Sequence, residues 1–358
     1  MSFKPTYPYD LPKLPANYEL FNPELTTHLV AARAQLGELK GFSDSLPNPL
    51  LLLSPAIVKE SLASSEVENI NTTLIDVFES QLFSEEERQV PDKEVLRYRD
   101  AILWGYKNVE KVSLSTRLIL GVNKVLLPNH QEGYRAQQNG LEDRIQKQII
   151  YTPPVQSRVA DYMNNLENFM NGALSSEIDP LIRAIISHYQ FEAVHPFSDG
   201  NGRTGRILMV LSLVEKDLLD LPILYISGYI NNNKNEYYKR LLGVTRDNAW
   251  NEYIIFMLKG FASQARVTKE YIFKIKNHFY DMKHKIRREN SKIYSADLVE
   301  ALFSTPILTP TKLAELVGCH YTTASKHLKA LEEMGIVFNK KVGRQQLYAN
   351  KSLIEILH

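Results

Sequence analysis

Two strongly apolar helical patterns, at 180–189 and 207–214, enclose a polar loop from His195 to Arg206, and this pairing restricts the fold more than any other feature. Leu181, Ile182, Ile185, Ile186 and Tyr189 keep spacings of three and four, the mark of one helical face. The stretch 207–214 is apolar on both faces, so its helix, over 203–216, belongs at the buried centre of a bundle. Partners for it are available. Helical spacing also runs through 57–63, 72–78, 93–106, 115–125, 155–169 and 235–244. Ser54-Pro55 reads as an N-cap followed by proline at the first helical position. The chain is expected to be mainly α.

Two segments depart from this pattern. Ile149-Ile150-Tyr151 is short, β-prone and closed by Pro153-Pro154, which suits an edge hairpin or flap. Pro5, Pro8, Pro12 and Pro15 predict an extended start that runs over the surface.

The loop His195-Pro196-Phe197-Ser198-Asp199-Gly200-Asn201-Gly202-Arg203-Thr204-Gly205-Arg206 concentrates chemistry. Gly200 and Gly202 allow tight turning and close approach to a ligand. Backbone N–H groups entering a helix N-terminus form an anion site. Arg203 and Arg206 share much of one helical face and can flank a polyphosphate. Asp199 is a hard oxygen ligand suited to Mg²⁺. His195 is the natural general base at neutral pH. The set suits attack by a hydroxyl on a nucleotide phosphate.

The loop resembles the Fic motif HxFx(D/E)GNGRxxR, with His195, Phe197, Asp199, Gly200, Asn201, Gly202, Arg203 and Arg206 at its specified positions. The resemblance extends over roughly 50–258 and implies a helical Fic core at 111–258 that moves AMP from ATP to Ser, Thr or Tyr hydroxyls of a target protein, or of itself. Carried over, His195 would take the hydroxyl proton and Asp199 would hold Mg²⁺. Gly200, Asn201 and Gly202, with Thr204 and Gly205, would cradle the phosphates. Arg203 would neutralise charge, and Arg206 would grip the γ-phosphate. Phe197 would anchor the loop. Ile149, Ile150 and Tyr151 would cover the nucleotide and pair with an extended target segment, while Tyr229 and Tyr237 would border the adenine.

Ser64, Glu68 and Asn69 match the family's inhibitory motif (S/T)xxxE(G/N) within an N-terminal helical region, 1–110, whose inhibitory helix spans about 55–70. Glu68 is expected to pair with Arg206 and hold the enzyme off.

The stretch 259–292 is rich in Lys and Arg, with Ile272, Ile275, Phe279, Met282 and Ile286 as a narrow apolar seam, and reads as a connecting helix. Beyond it, 293–358 resembles a winged helix-turn-helix domain. Thr309-Pro310 opens one helix and Gly318 ends it. Ala324, Leu328 and Leu331 face inward on the next, with Thr322, Thr323, Lys326 and Lys329 outward. Lys340-Lys341-Val342-Gly343-Arg344 forms the basic tip of a hairpin. Such a helix could enter a DNA major groove, or the module could dock a protein or form a homodimer. A nucleotide-sensing, DNA-binding transcriptional regulator is therefore the alternative function.

Apolar residues make up 44% of the 358 and charged residues 23%, with a formal net charge of +1, so no overall field directs the chain to nucleic acid or membrane. The single cysteine, Cys319, has no internal partner, which fits a reducing cytosol. The first residues show no apolar signal region, and the longest apolar stretches are too short for a bilayer. A cytoplasmic protein without a membrane partner is the expectation.

Overall fold

The computed structural model describes residues 3–16, 22–43, 46, 48–130, 132–143, 147–342 and 345–358. Helices dominate. In chain order they are α1 (Pro23–Ser43), α2 (Pro49–Leu52), α3 (Ser54–Val67), α4 (Leu74–Ser80), α5 (Val90–Val112), α6 (Thr116–Leu126), α7 (Val159–Met170), α8 (Pro180–Val194) and α9 (Asn201–Glu215). There follow α10 (Ile226–Asn232), α11 (Lys234–Asp247), α12 (Trp250–Glu289), α13 (Ala296–Ser304), α14 (Pro310–Val317), α15 (Tyr321–Glu333) and α16 (Lys351–Leu357). Strands β1 (Leu141–Asp143) and β2 (Gln148–Tyr151) form an antiparallel hairpin between α6 and α7. A second antiparallel sheet has the order β3-β5-β4, from β3 (Ile307–Leu308), β4 (Phe338–Val342) and β5 (Gln345–Ala349).

Local chemistry sets many helix starts. Thr73, Ser115, Ser295 and Thr309 each accept a backbone N–H through the side chain, and Asp179 does so ahead of Pro180. Ser54 does not act as a cap. Leu53 occupies that position with helical backbone and no side-chain bond, because α2 runs almost directly into α3 and leaves no room for a capping turn.

Helix α9 is the buried centre: Ile207, Val210, Leu211 and Leu213 are fully enclosed, and α3, α5, α6 and α8 pack around it. The extended start is not wholly superficial. Leu11 and Leu14 are buried, and the Tyr9 N–H donates to Thr152 O at 3.0 Å, tying the segment to the end of the flap. Apolar plugs spaced along a proline-rich strap repay its ordering.

Helix α12 begins at Trp250, ahead of the basic stretch, and packs lengthwise on α1. Its seam of Ile272, Ile275, Phe279, Met282 and Ile286 is buried as expected. The last elements, α13-β3-α14-α15-β4-β5-α16, have the order of a winged helix-turn-helix, with Ala324, Leu328 and Leu331 inward. Gly343 and Arg344 at the hairpin tip lie outside the described residues. This unit meets α3 through Lys59, whose Nζ donates to Leu357 O at the end of α16 and also, on α12, to Tyr271 Oη at 2.6 Å. Among the described residues no helix is long and apolar enough to cross a membrane.

Candidate active site

Helix α8 ends at His195, whose φ of 50° and ψ of 60° place it in the left-handed region, rare for a residue with a Cβ. That kink lets α8 stop abruptly and turns the chain into the loop. Gly200, at φ 74°, starts α9. Between them Phe197 is buried against Phe191 and Tyr134. Asn201 closes the loop on itself: its Oδ1 accepts from Phe197 N at 2.8 Å and its Nδ2 donates to Phe197 O at 2.9 Å. The Asn201 side chain therefore shapes the cradle, and its amide groups are turned away from a ligand. Thr204 is buried, with Oγ1 accepting from Asn123 Nδ2 at 3.3 Å.

His195 Nδ1 stands 3.3 Å from Glu192 O, a contact that holds the proton on Nδ1 and leaves the Nε2 lone pair free. Burial pushes the imidazole pKa down to about 4, so the ring is neutral at physiological pH. Asp199 is exposed at the loop mouth, with Oδ1 accepting from Gly200 N at 2.6 Å. Among the described residues no three His, Cys, Asp or Glu side chains gather as a metal cage. One accessible carboxylate beside a phosphate cradle nevertheless fits Mg²⁺, which keeps waters and takes phosphate oxygens for most of its shell.

The two arginines sit differently. Arg203 Nη1 donates to Glu94 Oε2 on α5 at 2.6 Å, so part of its charge is already engaged within the fold. Arg206, 1% exposed, directs three hydrogen bonds at the end of α3. Its Nε donates to Ser64 Oγ at 2.8 Å, and its Nη2 donates to Ser64 O at 2.8 Å and to Glu68 Oε1 at 2.9 Å. Burial alone would raise the Glu68 pKa, but the charge and hydrogen bond of Arg206 outweigh it and hold the carboxyl ionised. A Cβ on Gly202 would collide with that carboxylate. Asn69 follows in the left-handed region at φ 63°, and its Oδ1 accepts from Lys234 Nζ at 3.0 Å.

These groups surround a cavity of about 340 Å³. Glu68, His195, Gly202 and Arg206 line it together with Ile150, Tyr151, Tyr237 and Leu241. Tyr151 is fixed by its hydroxyl donating to Ala193 O at 2.8 Å. Tyr237 is buried with its hydroxyl 2.8 Å from His188 Nε2. Two expected nucleotide contacts are not brought to this wall. Ile149 stands on the flap at 40% exposure, with its side chain beside Gly140. Tyr229 packs on Phe256, with ring centroids 5.1 Å apart, and against Gly260.

Several groups at the site have no signature in the sequence. Arg135 is buried and binds four carbonyls: its N–H donates to Pro196 O, Nε to His195 O, Nη1 to Gln137 O and Nη2 to Pro154 O. It ties the loop to the flap. Glu94, Asn123 and Glu192 likewise lie among ordinary helical residues and reach the site only through packing.

Residues 26–107 match the Fic/DOC family N-terminal region and residues 113–213 the Fic/DOC family domain, together over half of the chain. The chain belongs to the Fic/DOC family. Residues 279–353 of this Fic/DOC protein match a further domain, described as protein adenylyltransferase SoFic-like, C-terminal domain. It is 30% identical over 179 residues to the probable protein adenylyltransferase aq_aa38 of Aquifex aeolicus, a match covering 48% of this chain and 52% of that one. It is 39% identical over 64 residues to protein adenylyltransferase fic-1 of Caenorhabditis elegans, which covers 18% and 13% of the two chains. The Fic/DOC chain thus spans about half the length of the first relative and a smaller part of the second. In structure it is similar to a Fic family protein from Desulfovibrio desulfuricans, with TM-score 0.59, 20% identity, and 93% and 97% of the two chains covered. Residues 134–508 of Caenorhabditis elegans Fic-1 superpose with TM-score 0.52 at 18% identity, covering 69% and 73%. At these identities the likeness establishes the Fic fold.

Proposed function

We propose that this chain is a protein adenylyltransferase that moves AMP from ATP to a hydroxyl of a protein and that its own α3 restrains it. The observation that carries the reading is the placement of a neutral His195 and a guanidinium, Arg206, in one cavity whose lining also includes Ile150, Tyr151, Tyr237 and Leu241. Proteins named as protein adenylyltransferases are among the relatives this chain is similar to.

In the transfer, His195 Nε2 takes the proton of the target hydroxyl as its oxygen bonds to the α-phosphorus. The bond from that phosphorus to the β-bridging oxygen breaks, and pyrophosphate leaves. Arg206 holds the γ-phosphate so that the leaving group lies in line. Backbone N–H groups from Gly200 to Gly205 at the start of α9 receive the phosphate charge. Asp199 would hold Mg²⁺, which when bound neutralises developing phosphate charge. Tyr151 and Ile150 close over the nucleotide, and β2 offers an edge for an extended target segment.

Glu68 defines the restrained state. It occupies the guanidinium that ATP needs and sets a carboxylate where the γ-phosphate belongs. The reading assigns the reaction to the cytoplasm, where ATP is plentiful. The domain division expected from sequence stays with this reading: restraint in the first region, chemistry in the second, and a docking module after α12. Helix α15 presents Thr322, Thr323, Lys326 and Lys329 outward, a feature that favours a DNA contact. Incubating the Glu68→Gly protein with labelled ATP and Mg²⁺ tests the proposal. Label on protein supports it, and label on none, at any nucleotide concentration, contradicts it.

A further inference from the structure

One carboxyl group in the cavity has no part in that scheme. Glu192 stands on α8 one turn before His195 and shares the cavity wall with Glu68, Gly202, Arg206 and Tyr237. Its Oε1 is sealed from solvent and has no hydrogen-bond partner. Arg206 directs its hydrogen bonds at Ser64 and Glu68 instead. The carboxyl lies flat on α9 only because residue 205 is glycine, since a Cβ there would collide with Glu192 Oε1 and stand 3.0 Å from Phe191. A buried oxygen without a partner forfeits its hydration and gains nothing within the protein. Oε1 faces Gly205, while the same carboxyl group borders the cavity, where an entering ligand meets it.

The groups that face Glu192 decide its form. Arg206 attracts the carboxylate from α9, and Glu68 repels it from α3. His188 and His195 lie on its own helix, and Tyr237 and Tyr253 approach from α11 and α12. Burial dominates, and with Glu68 it pushes the Glu192 pKa up to about 8 despite Arg206. At neutral pH the group is therefore an acid with an O–H to donate. Its neighbours do not titrate nearby. Burial takes His188 down to about 3 and His195 to about 4, and lifts Tyr237 and Tyr253 well above the ordinary tyrosine range.

We propose that Glu192 is a further nucleotide-binding residue, whose carboxylic acid O–H is donated to a phosphate oxygen of ATP held at Arg206. This rests on the reading of the cavity as the ATP site. The neutral acid adds a donor without adding charge. The ionised form would instead repel the polyphosphate, so phosphate affinity is lost as pH rises through the pKa of the group.

The test measures ATP and adenosine binding by titration calorimetry at pH 7 and pH 9, at one salt concentration. It uses the Glu68→Gly chain with Glu192 intact, with Glu192→Gln and with Glu192→Ala. With Glu192 intact, ATP affinity should fall severalfold between the two pH values as the acid form is lost, the loss beginning at lower pH than in the unaltered chain because the Glu68 charge is gone. Glu192→Gln keeps a donor that cannot ionise, and its ATP affinity should stay within about twofold. Glu192→Ala should bind ATP about tenfold more weakly at pH 7, with adenosine affinity unchanged. The same pH dependence in the Gln variant, or a parallel loss of adenosine, overturns the assignment even if ATP binds well. No ATP binding with Glu192 intact overturns the nucleotide reading itself, and this inference with it. Thermal midpoints of the three proteins show that each is folded.

Discussion

Glu68 Oε1 accepts a hydrogen bond from Arg206 Nη2 at 2.9 Å, and the same carboxylate lies over Gly202 where a Cβ would collide. One side chain from the end of α3 thus engages Arg206 and fills the space above Gly202. Ser64 strengthens the hold, because two of the three Arg206 bonds end on it. The grip belongs to the end of α3 as a whole, with Glu68 as the part that meets Arg206 through its carboxylate.

Ser64→Ala should loosen the grip without releasing it. The variant loses the hydroxyl that accepts from Arg206 Nε, a bond to a charged group worth about 1.5–3 kcal/mol, while the Ser64 carbonyl and Glu68 remain. Its rate of self-modification should rise above that of the unaltered chain and stay below that of Glu68→Gly. Intact-mass time courses check this, and a rate equal to that of the unaltered chain counts against it.

His195→Ala, placed in the Glu68→Gly chain, should lower transfer about 10²–10⁴-fold while leaving ATP affinity near its starting value. The pH profile carries a second expectation. With its pKa held down to about 4, His195 is the free base above that value and is protonated only below it. Transfer at saturating ATP should be flat from about pH 6 to 8 rather than fall near 6.5. A drop centred on the ordinary histidine value would refute the burial argument.

Arg135→Met should damage the site from beneath. Three carbonyls, those of His195, Gln137 and Pro154, lose their donor, at about 1–3 kcal/mol for each one left buried, while the backbone N–H of residue 135 still reaches Pro196 O. Denaturant unfolding should show a loss of about 3 kcal/mol or more, and kcat should fall further than ATP affinity. An unchanged unfolding midpoint would show that the guanidinium is replaceable there.

Glu60→Gln should alter stability in a pH-dependent way. Glu60 is buried in α3, accepts from Ser227 N at 3.1 Å, and also meets Ser227 Oγ and Tyr98 Oη. Burial pushes its pKa up to about 8 from 4.5, so the folded chain holds a proton that the unfolded chain has released. That contribution is full below about pH 4.5 and is lost as pH rises through 8. The unaltered chain should lose on the order of a few kcal/mol relative to Glu60→Gln across that interval. Parallel stability curves would show that Glu60 does not titrate as argued.

Much of this was legible in the residues themselves. The apolar helix at 207–214 announced a bundle, and the loop from His195 to Arg206 carried its chemistry in consecutive positions. The geometry brings Ser64, Glu68 and Arg206 together although 138 positions separate the last two. A short β-prone run closed by prolines was enough for the flap. Glu192 and Arg135 were hidden for a physical reason. Each is a single polar residue whose role is set by long-range packing, and neither periodicity nor local spacing encodes that. Tyr229 was drawn to Phe256 by the same preference for aromatic burial that made it look like an adenine contact. Ser54 lost its capping role to a second helix that ends beside it.

The central claim is that the contact between Glu68 and Arg206 holds an AMP transferase off. Intact-mass spectrometry of the Glu68→Gly protein, after incubation with ATP and Mg²⁺, tests it most directly. The account predicts a mass increase equal to one AMP group, which is absent when His195→Ala is added and scarce when Glu68 is restored. An unshifted mass for Glu68→Gly, or equal labelling with and without Glu68, would contradict it.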